Sequence, residues 1–95
     1  MFENQRYITR GVSNRVSLPL QLFMWHCINN MDVPKDYLQV FKLSAENGKQ
    51  KIEHIQEEPE CKREYLLNTD TPVLVCKIFV IDDGSHSTML LAEEY

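Results

Sequence analysis

Two apolar, β-prone runs flank Asp83-Gly84 near the C-terminus, and this hairpin signal most limits the folds open to the chain. An Asp-Gly pair supplies the positive φ angles that a tight two-residue β-turn needs. The run ahead of it sets Leu74, Cys76, Ile78 and Val80 on one side of a strand and Val75, Lys77, Phe79 and Ile81 on the other. Seven of these eight side chains are apolar. A strand with so little alternation is predicted to be buried on both faces, in the middle of a sheet.

A chain of 95 residues is sized for one domain and can bury a core without a metal or a disulfide. The three cysteines, Cys27, Cys61 and Cys76, are odd in number and widely spaced, which gives no CxxC motif for zinc or dithiol chemistry and fits a reducing compartment. The N-terminus lacks the apolar core of a signal peptide, and Lys77 interrupts the longest apolar run well short of a membrane span. A cytoplasmic protein is the expectation. Net charge is −4, but it is uneven: residues 1–31 carry Arg6, Arg10 and Arg15 against Glu3, while acidic residues dominate the remainder. An acidic chain repels nucleic acid overall, and the N-terminal segment alone escapes that field.

Along the chain, Arg6–Val12 reads as a first strand, ended by Gly11 and Ser13-Asn14. Ser17 is an N-cap ahead of Pro19, and a helix is predicted over Leu18–Met31, where Leu20, Phe23, Met24, Cys27, Ile28 and Met31 form one apolar stripe. Tyr37–Leu43 reads as a strand, Asn47-Gly48 as a hairpin turn, and Gln50–Gln56 as a polar strand towards a sheet edge. Glu57–Glu60 makes a turn, Cys61–Leu67 a further strand and Asn68–Pro72 a loop. One strand, one helix and a run of strands joined by short turns predict an α+β domain. Its sheet would have about six mostly antiparallel strands, with one amphipathic helix on one face.

The helix carries a second apolar group. Leu18, Leu22 and Trp25 lie away from the main stripe, with Gln21, His26 and Asn30 between. Either the N-terminal strand covers them or they form a docking surface, since exposed apolar patches with Trp are enriched at interfaces. The candidate surface is therefore Leu18, Leu22 and Trp25 with the adjoining Arg6 and Arg10, and the partner a protein or a second copy.

Residues with chemistry are few. Asp82, Asp83, Ser85, His86 and Ser87 cluster at the C-terminal turn and could serve a divalent metal or activate a hydroxyl. Alternating strand faces argue that they diverge, and Asp-Gly already has a structural task there. His26 and Cys27 are helical neighbours about 100° apart and do not face each other, so Cys27 reads as a buried hydrophobe. His54 reads as a surface residue on a polar strand. Cys61 and Cys76 fall on strands that could be neighbours. Tyr7 among Arg6, Arg10 and Arg15 is a faint aromatic-plus-basic pattern of the kind that binds single strands. No phosphate-loop, dinucleotide, zinc-protease or hydrolase-elbow motif occurs. No cofactor or catalytic residue is assigned.

Four segments together, Arg6–Gly11, Leu20–Trp25, Lys35–Phe41 and Lys77–Tyr95, resemble the domain of unknown function 960 family. These are small proteins mainly of Gram-positive Firmicutes and their mobile elements. The resemblance spans essentially the whole chain and implies a stand-alone cytoplasmic bacterial protein, with no activity or site to carry over. The leading functional expectation is a non-enzymatic interaction or regulatory module. Metal binding or catalysis at Asp82, Asp83 and His86, and nucleic-acid binding through the arginine-bearing N-terminus, stand as alternatives.

Overall fold

A computed structural model describes residues 1–95. In it, nearly every element after the N-terminal third belongs to one sheet. The elements are β1 (Gln5–Ile8), α1 (Arg10–Arg15), α2 (Leu18–Asn29), β2 (Leu38–Glu46), β3 (Lys49–Gln56), β4 (Cys61–Leu67), β5 (Cys76–Asp82) and β6 (His86–Leu91), with a 3-10 turn at Ala92–Glu94. The six strands run in the order β1-β6-β5-β2-β3-β4. Four of the pairings are antiparallel, and β1 joins β6 in parallel. The fold is thus α+β with a mixed, largely antiparallel sheet and two helices where the sequence predicted one.

Turn chemistry explains two of the three hairpins. Asn47 and Gly48 both take positive φ between β2 and β3, and Gly84 does so between β5 and β6. At α2, the Ser17 hydroxyl accepts from the Leu20 amide and Pro19 occupies the first turn. The extra helix arises because Thr9 caps instead of extending the strand. Its hydroxyl accepts from the Val12 amide, and Val12 enters the core from α1. β-Branched content had suggested a strand as far as Val12, but an N-cap needs the same residue types.

The core gathers Met24, Trp25, Cys27 and Ile28 of α2 and Val12 of α1 with alternate residues of the sheet, among them Phe41, Leu43, Ile52, Ile78, Val80, Met89 and Leu91. Leu20 and Phe23 pack against this cluster, and Phe23 meets Tyr65 of β4 edge to face. The strand β5 lies inside the sheet as predicted, but it is not buried on both faces. Ile78 and Val80 are fully buried, while Phe79 and Ile81, on the opposite side, are only half-buried and Lys77 is exposed. No helix covers that second side.

The strand β3 also departs from expectation. It is interior, flanked by β2 and β4, and the edge falls to β4. Gln50, His54 and Gln56 are buried. The two glutamine side chains satisfy backbone groups that no strand reaches. Gln50 donates to the Leu74 carbonyl (3.0 Å) and accepts from the Leu74 amide (2.9 Å), and Gln56 donates to the carbonyls of Pro34 and Pro59 (2.9 Å each). Buried polar groups need such partners. Cys61 and Cys76 are not neighbours, because β2 and β3 separate their strands, and all three cysteines are free thiols.

Candidate functional site

The predicted docking surface on α2 divides when its residues are placed. Leu18 and Leu22 are exposed, 63% and 58% respectively, whereas Trp25 is 8% exposed and belongs to the core. The cover comes from the chain itself. The Arg6 guanidinium lies 4.5 Å from the centre of the Trp25 ring. It donates to the Phe2 carbonyl (3.0 and 3.3 Å) and to the Asn29 side chain. Helix spacing set the indole apart from the main stripe, yet it joins Met24, Cys27 and Ile28 in one core cluster, and Arg6 of β1 covers it. Arg6 and Trp25 thus make a cation–π clamp that ties the N-terminal strand to α2. The helix offers Leu18 and Leu22 alone as exposed apolar positions, with Arg10 exposed nearby in sequence.

The basic N-terminal pattern is dismantled in the same way. Arg6 is engaged with its own chain, and Arg15 pairs with Glu93. Tyr7 stands on the other side of β1 and packs edge to face on His86, 5.2 Å between ring centres. Arg6, Tyr7, Arg10 and Arg15 form no common strip.

At the β5–β6 turn, Asp82 and Asp83 part company. The Asp82 carboxylate turns inward and accepts from the amides of Phe2 and Gly84 (2.8 Å each) and from Asn4 Nδ2 (3.0 Å). These bonds, the Phe2 amide foremost, hold its acidity below the ordinary aspartate range. Asp83, Ser85 and His86 do converge, contrary to expectation. Asp83 Oδ1 accepts from the amides of Ser85 and His86 (3.0 Å each) and from Ser85 Oγ (2.9 Å). Ser85 Oγ is 2.9 Å from His86 Nδ1, and His86 Nε2 is 3.3 Å from Asp83 Oδ2. The backbone explains the convergence, since the turn curls over Asp83 before β6 begins. Such a cluster resembles a nucleophile with its base, but acyl transfer also needs spare amides for the oxyanion. Here the amides of Gly84, Ser85 and His86 are all taken by Asp82 and Asp83. No group of three or more His, Cys, Asp or Glu side chains is placed to hold a metal.

One histidine is deeply buried. His54 is 3% exposed, stacks on Phe41 at 4.3 Å, and its Nε2 lies 2.6 Å from Gln39 Oε1. Gln39 in turn donates to Gln56 Oε1 (2.6 Å), which also accepts from the Asp36 amide (2.8 Å). Gln39 Nε2 is already a donor in this chain, so its oxygen accepts and His54 carries the Nε2 proton. Burial drives the imidazole pKa down to about 4, with Arg63 adding repulsion. His54 is therefore a neutral core residue and not the surface residue expected. A cleft of about 440 Å³ opens between the start of α2 and the loop after β4, over Leu20, Phe23 and Leu67, and Asp70 is its one titratable residue. No helix is long and apolar enough to cross a membrane.

What remains is the bare side of the sheet. Strand register places Ile55, Val40, Phe79 and Leu90 in one row across β3, β2, β5 and β6. The next row holds Leu38, Ile81, Thr88 and Tyr7. An antiparallel sheet with one solvated face normally alternates apolar inside with polar outside. Here the bare face carries apolar rows, edged by Tyr7 and by Tyr95, whose ring meets Phe79 edge to face at 5.7 Å. These residues were legible as apolar, but their exposure depends on which side of the sheet the helices take.

Comparison with known proteins adds no activity to this geometry. The chain is similar over 98% of its length to a crystal structure described as a protein of unknown function from Enterococcus faecalis, with a TM-score of 0.83 and 28% sequence identity, covering 92% of that chain. No curated protein matches it. The family model described as "Staphylococcal protein of unknown function (DUF960)" matches residues 5–94, and the chain belongs to that family.

Proposed function

We propose that this chain is a non-enzymatic protein-interaction module that docks through the bare face of its sheet. The observation that carries the reading is the row Ile55–Val40–Phe79, apolar and half-buried on a side that no helix covers, with the buried Leu90 at its end. Contiguous apolar surface of this kind marks association sites in proteins otherwise free to present polar residues. The side chains with chemical capacity support the same reading, because each is engaged within the fold. Asp82 holds the N-terminal segment, Asp83 closes its own turn, Arg6 covers Trp25 and His54 is a core residue.

The test is photo-crosslinking in the native cell, with p-benzoylphenylalanine in place of Phe79 on the bare face and, separately, in place of Leu22 on the outer side of α2. Adducts from position 79 and none from position 22 are expected. No adduct from position 79 would end the proposal, and adducts from position 22 alone would return the docking surface to the helix.

A further inference from the structure

We infer that the occupant of the bare face is a second copy of this chain, set face to face about a two-fold axis that runs along the strands between β2 and β3. The inference rests on the docking reading above and names its partner. It comes from the pattern of side chains across four strands, which is self-complementary row by row.

The charged row shows this most clearly. Register aligns Lys77 of β5, Lys42 of β2, Glu53 of β3 and Glu64 of β4. Two lysines thus sit side by side, and so do two glutamates. Like charges directly opposite each other across a strand pair are destabilising. Within one copy the glutamates are relieved and the lysines only in part. Lys62 bridges Glu53 (3.1 Å) and Glu64 (3.6 Å), Lys42 lies opposite Glu53, and Lys77 approaches the Phe79 ring (5.7 Å), but no ion pair reaches Lys42 or Lys77. A two-fold axis between β2 and β3 exchanges β2 with β3 and β5 with β4. It sets Lys42 of one copy over Glu53 of the other and Lys77 over Glu64, each contact made twice.

The neighbouring rows obey the same axis. On one side, Val40 and Ile55 exchange places, so each apolar side chain meets the other, and Phe79, whose ring Lys77 of its own strand already approaches at 5.7 Å, meets Lys62. On the other side, Val75 continues the alternation of β5 onto the bare face, and Leu66 of β4 lies at the matching level. These are 66% and 44% exposed in one copy, and the axis brings them together. Aligned sheets pack about 10 Å apart with a rotation of about 30°, which keeps such rows in reach. Four strands spaced about 4.8 Å apart and three rows deep give roughly 500–600 Å² per copy, so roughly 1,000–1,200 Å² in all, the lower end of specific dimers.

The experiment uses charge exchange between two exposed positions. Wild type, Lys77→Glu and Glu64→Lys are each purified, checked for unchanged circular dichroism, and measured by sedimentation velocity up to about 100 μM. Wild type is expected to dimerise. Each single variant places two like-charge contacts in its own dimer and is expected to weaken it about tenfold or more. An equimolar mixture of the two variants restores both opposite-charge contacts and is expected to dimerise as well as wild type. If either variant fails to fold, Val75→Asp, at a site with little packing to lose, is expected to weaken the dimer instead. A monomeric wild type overturns the second-copy inference, and so does a mixture no tighter than its components. In the first case, crosslinks from position 79 to a different protein would leave the docking reading standing.

Discussion

Acidification is expected to unfold this protein through His54. The ring is 3% exposed, stacked on Phe41 and hydrogen-bonded to Gln39, and burial lowers its pKa from 6.5 to about 4. The unfolded chain therefore binds a proton more readily than the folded chain between those values. Stability is fully present above pH 6.5 and is lost as pH falls towards 4. At about 1.4 kcal/mol per pKa unit the full loss is about 3 kcal/mol, of which about 2 kcal/mol is already spent at pH 5. The assay is urea unfolding at pH 7 and pH 5, followed by the fluorescence of the single tryptophan, Trp25. A denaturant slope of about 1 kcal/mol per molar turns the loss into a midpoint shift of about 2 M. His54→Gln keeps a side-chain donor for Gln39 and cannot titrate. Carboxylates such as Asp82, whose acidity the Phe2 amide strengthens, act equally in both proteins and cancel in the comparison. If the variant loses as much stability as wild type between pH 7 and pH 5, the imidazole does not resist protonation, and the account of a neutral buried ring fails.

Two further perturbations probe the N-terminal third. Arg6→Ala is expected to cost about 1–3 kcal/mol through the lost cation–π contact and charged hydrogen bonds, and to shift Trp25 emission to the red as the ring gains water. An unchanged spectrum would show that the guanidinium is not the lid. A methyl group on Gly11 would stand 2.6 Å from the Glu94 carboxyl carbon, where the carboxylate now accepts from Thr9 Oγ1, the Gly11 amide and the Leu91 amide. Gly11→Ala is expected to lower the melting temperature, Glu94→Ala to lower it similarly, and the double variant to melt no lower than the worse single one. Additive losses would mean that the two positions act separately.

Local chemistry explains what the sequence made legible. Asn47-Gly48 and Asp83-Gly84 mark two of the three hairpins because the turns need positive φ at Asn47, Gly48 and Gly84. Ser17 and Pro19 marked the start of α2 because a helix terminus has fixed needs. What stayed hidden depends on partners far along the chain. Thr9 serves as a cap where the C-terminal Glu94 also arrives, and nothing in the local sequence of α1 announces that contact. Gln50 and Gln56 lie buried because Leu74, Pro34 and Pro59 come to them across the fold, so β3 was read as a polar edge. Trp25 is in the core because Arg6 closes over it, a contact that spacing along the helix cannot reveal.

The two sides of the sheet also reverse the usual economy of burial. The covered side takes in Gln39, Gln50, His54 and Gln56, each of which needs a partner to be tolerated there. The bare side holds Val40, Ile55, Phe79 and Ile81 at half burial. In the isolated fold these side chains bury only part of their apolar area, so they gain less than a core position would, and the open part exposes the fold to unwanted association. The placement of these side chains beside a charge row whose Lys42 and Lys77 lack ion pairs within one copy and gain them between two gives the apolar choice a physical use, and it is the pairing of those two features, rather than either alone, that points to association through this face.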